Sequence, residues 1–292
     1  MQFESLKAFC DLVETQSFTQ TARLNNVSQS SVSQTISALE RQFDALLIER
    51  SRKNFRLTPE GEVFYNHSKE ILQAYEAIHN RLQEIKHIIS GEIRLATVYS
   101  LGLHDLPPYL KRFLKEYPDV KVRVEYRRAN QVYDDVLGNI VDLGLVAYPI
   151  HHPKLGIIPL RQEPLVLACH PQHPLTKHKT IRLKALNGAR FVSFELDIPT
   201  RKALDKLFDI HHVQVEHVME FDNIETVKRA VEVNCGVAIV PAPSIRQEVA
   251  DQTLVAINLE GDYYRPLAAI HRKTKILSPA IKKFLALLKK PI

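Results

Sequence analysis

The sequence contains few cysteines: Cys10, Cys169 and Cys235 are the three among 292 residues. An odd, widely scattered set provides neither a disulfide framework nor the spacing of metal ligands. We therefore expect reduced thiols and no metal site, and a redox-sensing thiol is the alternative. The paired His151 and His152 and the group at residues 170–178 also lack the helical spacing of metal-binding histidines.

Long apolar runs are absent as well. No uninterrupted run reaches the roughly 18 residues that a membrane-spanning helix needs. The first residues lack the basic start and apolar core of a signal peptide. We therefore expect a cytoplasmic protein without a membrane partner. With 45% hydrophobic and 25% charged residues, the composition is that of a folded globular protein.

The sequence also lacks the short motifs of common enzymes. It has no Gly-x-Gly-x-x-Gly, no Gly-x-x-x-x-Gly-Lys and no Gly-x-Ser-x-Gly. We therefore predict neither catalytic residues nor a cofactor. A solute-binding or catalytic α/β protein, whose N-terminal part serves only for assembly, is the rival hypothesis.

The net charge of +6 is compatible with a polyanionic partner, but the excess of basic residues lies near the C-terminus. The first 90 residues are nearly balanced in charge. Any argument for nucleic-acid binding must therefore come from local patterns.

The first 45 residues predict three short helices, because apolar residues recur at steps of three and four. Ser17 and Ser28 are expected to cap the second and third helices. In the third helix, Val32, Ile36 and Leu39 share one side, and the opposite side carries small polar groups and then Arg41. Such a side suits a helix that reads base edges in a major groove. The alternative is an ordinary solvated face, although those usually mix Glu with Lys.

A basic hairpin is predicted next, since two short β-like pieces flank the turn at residues 52–54. Its position directly after three helices favours the wing of a winged helix-turn-helix over a merely solvated hairpin. The wing is expected to contact phosphates. The predicted DNA-binding residues of the third helix and the wing are Ser28, Gln29, Ser30, Ser31, Ser33, Gln34, Ser37, Arg50, Arg52 and Lys53.

Thr58-Pro59-Glu60 predicts the start of a long helix that runs to about Ser90. Apolar residues then follow a heptad pattern for more than three repeats, which is typical of a helix that pairs with a copy of itself. The alternative is packing against the C-terminal part of the same chain. The predicted dimerisation residues are Phe64, Ile71, Tyr75, Ile78, Leu82, Ile85 and Ile89.

Beyond Gly91 the pattern changes to alternating strands and helices, which indicates an α/β domain with a parallel-type sheet. Two crossovers, near residues 162 and 265, predict two lobes around a hinged cleft. The fold class is therefore a winged helix-turn-helix, a linker helix and a two-lobed α/β domain.

Residues 17–22, 27–33, 36–40, 47–50 and 57–61 resemble, in order and spacing, the head of the LysR-type transcriptional regulators. The resemblance continues at Pro107-Pro108, at residues 142–144 and 173–175, and at residues 236–241. It implies a C-terminal domain similar to periplasmic binding proteins, a small-molecule effector, and dimers or tetramers on promoter DNA. RNA polymerase is a further implied partner, and the protein would be nucleoid-associated when bound.

We accordingly expect a DNA-binding domain at 1–58, a linker helix at 59–90 and an effector-binding domain at 91–292. In the last, lobe I comprises 91–161 and 266–292, and lobe II comprises 162–265.

The resemblance places the effector between the lobes. Several polar residues stand near predicted helix starts or strand ends, where free backbone N–H groups favour an anion. For each, the alternative is a simple helix cap, and a vestigial cleft is the alternative for the whole set. The predicted effector-binding residues are Ser100, Leu101, Asn130, Tyr148, Ser193, Thr200 and Asn223.

Overall fold

The computed structural model describes residues 3–50, 55–85 and 89–290. The chain forms two compact units, Met1–Ile88 with Lys275–Ser278, and Ile89–Thr274 with Pro279–Ile292. In the described part of the chain, no helix combines the length and the apolar character needed to cross a bilayer.

Among its described residues, the first unit contains four helices and a two-stranded hairpin. Its elements are α1 (Phe3–Thr15), α2 (Phe18–Leu24), α3 (Gln29–Phe43), β1 (Ile48–Arg50), β2 (Phe55–Leu57) and α4 (Pro59–Ile85). The predicted caps are confirmed, since Ser17 Oγ accepts from Gln20 N at 3.3 Å and Ser28 Oγ from Ser31 N at 3.1 Å. Each cap satisfies a backbone N–H that the first helical turn leaves without an intrahelical partner.

The core of this unit is formed by the apolar sides of α1 and α3 and the start of the hairpin. Phe9, Leu12, Ile36 and Leu47 are almost completely buried in it. Phe64 also packs here, and its ring contacts Phe9 at 5.0 Å between centroids. The assignment of Phe64 to the dimerisation surface is therefore wrong: the first turns of α4 pack against the head, so the heptad pattern begins inside the core.

The predicted end of α4 is also corrected. The helix is described to Ile85, and Ile89 lies in neither a helix nor a strand. At Gly91 the chain has φ of 108°, which is incompatible with a helix and favours glycine. Ile89 consequently belongs to the entry into the second unit and not to the helical seam.

The second unit alternates strands and helices. Its strands are β3 (Gly91–Thr97), β4 (Val120–Tyr126), β5 (Leu143–Ala147), β6 (Leu155–Cys169), β7 (Thr180–Ile181), β8 (Arg190–Phe194), β9 (Glu216–Phe221), β10 (Ala238–Pro241), β11 (Val255–Leu259) and β12 (Tyr264–Arg272). Its helices are α5 (Tyr99–His104), α6 (Leu106–Glu116), α7 (Ala129–Leu137), α8 (Pro199–His211), α9 (Ile224–Glu232), α10 (Arg246–Ala250) and α11 (Pro279–Leu288).

The long strand β6 connects two lobes. Its residues 155–164 pair with β12, whereas residues 165–169 pair with β10 and β11. Lobe I is built on the order β4-β3-β5-β12, and lobe II on the second half of β6 with β7, β10, β11 and the separate β8–β9 pair. The predicted parallel sheet holds for β3 with β4 and β5, but β6 and β12 are antiparallel. The two return strands cause this mixture, because they carry the chain between the lobes in opposite directions.

Candidate functional site

The outward side of α3 is a polar surface, which we call the α3 face: Ser30, Ser33, Gln34 and Ser37. The first three are exposed, Ser37 is half-buried, and together they line a depression of about 880 Å³. The neighbouring predicted residues, Ser28, Gln29 and Ser31, are exposed as well. The structure thus brings together all the helical residues that the sequence singled out for DNA.

Glu40 fixes α3 against the hairpin. Its side chain is buried, and Oε1 accepts hydrogen bonds from the backbone N–H of Leu47 at 3.1 Å and of Ile48 at 3.4 Å. The carboxylate near the end of the α3 face is therefore turned inward. Its charge satisfies backbone donors that a short strand would otherwise leave unpaired.

The hairpin has the predicted form of a wing. β1 and β2 pair antiparallel, with Ile48 opposite Leu57 and Glu49 opposite the exposed Arg56. The backbone of Arg50 lies in β1, whereas its side chain, and Arg52 and Lys53 altogether, lie outside the described residues.

One side of α4 remains uncovered in the single chain; we call it the α4 seam. It comprises Ile71, Tyr75, Ile78, Leu82 and Ile85, whose side chains are 46–68% exposed. Large apolar side chains at this spacing, left in water over four turns, indicate a surface that another helix covers.

Three predicted effector residues lie together between the lobes. Ser100, Thr200 and Asn223 line a cavity of about 50 Å³, which we call the central cleft. Asn223 also caps α9, since Oδ1 accepts from Glu225 N at 3.0 Å and Thr226 N at 3.2 Å. Small-molecule sites have volumes of about 300–1,000 Å³, so the lobes are closed too tightly here for a metabolite.

The sequence missed Arg265, the cation at the base of the central cleft. Arg265 is buried, donates to Ser100 Oγ at 2.8 Å and forms an ion pair with the buried Glu163. Oε1 of Glu163 has no hydrogen-bond partner among the described residues. The sequence signal for this residue was an arginine within the largely apolar strand β12. A cation buried in such a strand requires a polar or charged partner, which indicates a functional or structural site.

Arg128, at the start of α7, is a second missed residue and bridges the lobes. Its guanidinium lies 3.0 Å from Glu195 and 3.0 Å from Asp222, with Asp197 at 3.6 Å. The hydrogen bond from Asn223, together with Arg128, holds the pKa of Asp222 below its usual value. In the closed cleft, the guanidinium of Arg128 is therefore paired with carboxylates of the protein itself.

A second bridge joins α5 of lobe I to α9 of lobe II. His104 Nε2 lies 2.6 Å from Glu225, and Glu225 lies 3.0 Å from the buried Lys228. Burial tends to raise the pKa of Glu225, but the hydrogen bonds with His104 and Lys228 lower it overall. Lys228 also pairs with Glu248 at 2.7 Å, so this contact is anchored within lobe II.

Two further predicted effector residues, Asn130 and Tyr148, do not line the central cleft. They line a larger cavity of about 670 Å³ with Tyr133, Tyr263 and Tyr264, which we call the tyrosine cavity. The predicted set is thus divided between two adjacent cavities.

Two predicted effector residues face neither cavity. The side chain of Leu101 is buried in lobe I, and its backbone N–H already donates to Val98 O at 3.1 Å. Ser193 is buried and bonds His217 Nδ1 at 2.5 Å. Both assignments are wrong for one reason: proximity to a strand end does not fix the direction in which a side chain points.

The two buried cysteines, Cys10 and Cys169, do not have reactive thiols. Burial raises the pKa of Cys10 and of Cys169 to about 12, so both stay protonated at neutral pH. Among the described residues, no group of His, Cys, Asp or Glu side chains has the arrangement of a metal site.

Comparison with known proteins gives two family matches. Residues 3–62 match the bacterial regulatory helix-turn-helix proteins of the lysR family, and residues 87–291 match the LysR substrate binding domain. The chain is 28% identical to the HTH-type transcriptional regulator CysL of Bacillus subtilis over 272 residues, which cover 93% of this chain and 91% of CysL.

Two solved structures are similar in fold. A full-length OxyR variant from Pseudomonas aeruginosa has a TM-score of 0.79 at 20% identity, covering 99% of this chain and 98% of OxyR. The regulatory domain of Synechocystis CcmR, in complex with 2-PG, has a TM-score of 0.63 at 26% identity, covering 68% of this chain and 96% of CcmR. The two matched segments together cover nearly the whole chain, and the predicted fold class is confirmed. The chain belongs to the LysR family of transcriptional regulators.

Proposed function

We propose that this regulator reads promoter DNA with the α3 face. The observation that carries the proposal is the exposure of a serine- and glutamine-rich helix side on which the carboxylate of Glu40 is turned inward, while the exposed Asp44 lies beyond the C-terminal end of the helix. Gln34 and Ser37 would contact base edges, and Ser28 and Ser31, at the N-terminus of α3, would lie near a phosphate. Arg50, Arg52 and Lys53 would contact phosphates from the wing.

The second part of the proposal is a homodimer formed through the α4 seam. Covering five large apolar side chains would stabilise a pair of antiparallel or parallel helices, and a symmetric pair would present two heads to DNA. A tetramer formed from two such dimers is the assembly we infer on the promoter.

The third part is an effector bound in the central cleft after the lobes open. Arg265, Arg128 and Thr200 would face the ligand, and the two cations favour an anion. CcmR, whose regulatory domain shares this fold, binds 2-PG. The carboxylates of Glu195 and Asp222 would have to leave Arg128, so ligand binding and lobe opening are coupled. The ligand then acts through a difference in affinity between the two arrangements, changing promoter bending and contact with RNA polymerase. No step of this mechanism needs catalysis.

Base reading is tested with Gln34→Ala and Gln42→Ala in the full-length protein. Gln42 is exposed on α3 but does not line the depression at the α3 face. Binding is measured by fluorescence anisotropy to DNA from upstream of the protein's own gene and to random DNA of equal length. We expect Gln34→Ala to lose about 1–3 kcal/mol on the specific site and little on random DNA.

Gln42→Ala should leave both affinities unchanged. Arg50→Gln should weaken both and reduce the salt dependence by about one counterion. Equal losses on specific and random DNA from Gln34→Ala and Arg50→Gln would refute the division of roles.

A further inference from the structure

The tyrosine cavity is a larger, partly open space beside the central cleft. Its volume of about 670 Å³ lies within the range of small-molecule sites, about 300–1,000 Å³. It shares Ala129, Ile198 and Pro199 with the central cleft, and its other lining residues are its own. Unlike the central cleft, it is large enough for a ligand in the closed arrangement.

Two of the aromatic wall residues are held in place by hydrogen bonds. Tyr133 Oη accepts a hydrogen bond from Ile150 N at 2.7 Å. Tyr263 Oη lies 3.1 Å from His211 Nε2, and the two rings pack edge-to-face. Rings fixed in this way need little rearrangement to pack against a ligand, which limits the entropy lost on binding.

Tyr148 adds a conformational constraint. Its φ of 50° lies in the left-handed region, which is unfavourable for a non-glycine residue and often marks a ligand site. The backbone N–H of Tyr148 donates to Pro266 O at 2.9 Å, so the strand β12 maintains this conformation. The strain places an aromatic ring at the cavity wall where β5 ends.

The charged groups of the wall come mainly from α8. Lys202 and Lys206 are one turn apart on the helix side that also carries Pro199, Ala203 and Leu207. Neither lysine forms an ion pair with the described residues, and both are exposed. The lining residues include two carboxylates, Asp197 and Asp262. Asp197 lies 3.6 Å from Arg128, so Asp262 is the lining carboxylate that does not pair with Arg128.

We propose that the tyrosine cavity is a second ligand site, separate from the central cleft, that binds an aromatic carboxylic acid. The ring of the ligand packs between Tyr133, Tyr148 and Tyr263, and the carboxylate pairs with Lys202 and Lys206. Aromatic packing and a charge pair are each favourable in a partly desolvated cavity. The cavity is lined by lobe I, by lobe II and by the start of β12, so an occupant contacts both lobes.

The test is isothermal titration calorimetry of the full-length protein with a matched series of probes. Phenylacetate and indole-3-acetate carry both features. Cyclohexylacetate keeps the charge without the aromatic ring, and 2-phenylethanol keeps the ring without the charge. We expect one aromatic acid per chain with a dissociation constant of about 1 mM or lower, and at least tenfold weaker binding of cyclohexylacetate and 2-phenylethanol.

Two sets of variants locate the bound acid. Lys202→Gln with Lys206→Gln should weaken its binding at least tenfold, whereas Lys179→Gln with Lys184→Gln, elsewhere on lobe II, should not. Ser100→Ala, in the central cleft, should change the affinity less than twofold. Absence of binding by either aromatic acid, or an equal loss in Ser100→Ala, would overturn the proposal. Because binding is measured without DNA, this result is independent of whether the α3 face reads bases.

Discussion

Arg128 Nη2 lies 3.0 Å from Asp222 Oδ2 and joins lobe I to lobe II across the central cleft. Asp222 therefore pairs with a guanidinium that lines the central cleft. The volume of the cleft in this closed arrangement is about 50 Å³. The exposure of the pair to solvent limits its strength, so the closed arrangement can be exchanged for an open one.

Breaking this pair should favour the open arrangement. We predict that Asp222→Asn raises the hydrogen-exchange rates of the backbone amides at residues 98–100 and 222–225 roughly two- to fivefold, as expected for loss of one exposed ion pair. Arg182→Gln is the matched control, since it breaks the 2.8 Å pair with Glu260 within lobe II. Unchanged exchange in Asp222→Asn would mean that other contacts alone keep the lobes closed.

The α4 seam should determine the oligomeric state. A carboxylate at Ile78 or Leu82 would be buried against the partner helix, at a large desolvation cost. We expect Ile78→Asp and Leu82→Asp to raise the dimer dissociation constant at least tenfold in analytical ultracentrifugation. Asn66→Asp, exposed on another side of α4, should have no effect. Dimers that survive both seam substitutions would exclude the seam as the interface.

Gly61 should be required for the junction of the wing and α4. A Cβ atom at this position would lie 2.0 Å from the backbone oxygen of Leu47, so the backbone just before β1 would have to shift. We predict that Gly61→Ala lowers the free energy of unfolding by about 1–3 kcal/mol in urea denaturation. Glu62→Ala changes the next, exposed residue of the same turn and should cost less than about 0.5 kcal/mol.

His217 should make lobe II sensitive to mild acid. Burial, assisted by Arg201, lowers the pKa of His217 below its ordinary 6.5. The unfolded chain therefore takes up a proton near pH 6.5 that the folded chain does not, so this contribution to stability is present above pH 6.5 and is lost as the pH falls below it. An NMR titration should give a pKa below 6.5 for His217, and His217→Gln should reduce the loss of stability between pH 7.5 and 5.5. A value at or above 6.5 would contradict the conclusion that partial desolvation and Arg201 favour the neutral imidazole.

The sequence pattern predicted correctly those features that depend on residues close together in the sequence. Ser28 was predicted as the cap of α3 because its bond partner, Ser31, is three residues away. The heptad pattern found the long helix but placed Phe64 in the seam, since periodicity cannot tell an intramolecular partner such as Phe9 from a second chain.

The cleft was harder to predict because its contacts are distant in sequence. Arg265 contacts Ser100 and Glu163, which are 165 and 102 residues away in the sequence, and Arg128 contacts Asp222, which is 94 residues away. Conversely, Ser193 resembled a cleft residue in sequence and instead pairs with His217 inside lobe II. Short-range signals locate strand ends, but the direction of a side chain depends on tertiary packing.

The most direct test of the proposed function is hydroxyl-radical footprinting of the full-length protein on DNA from upstream of its own gene. Two α3 faces in a symmetric dimer predict paired protected sites about 10–10.5 base pairs apart, or at a multiple of that spacing, with protection lost in Gln34→Ala and retained in Gln42→Ala. A single unpaired protected site, or protection that does not depend on Gln34, would contradict the account.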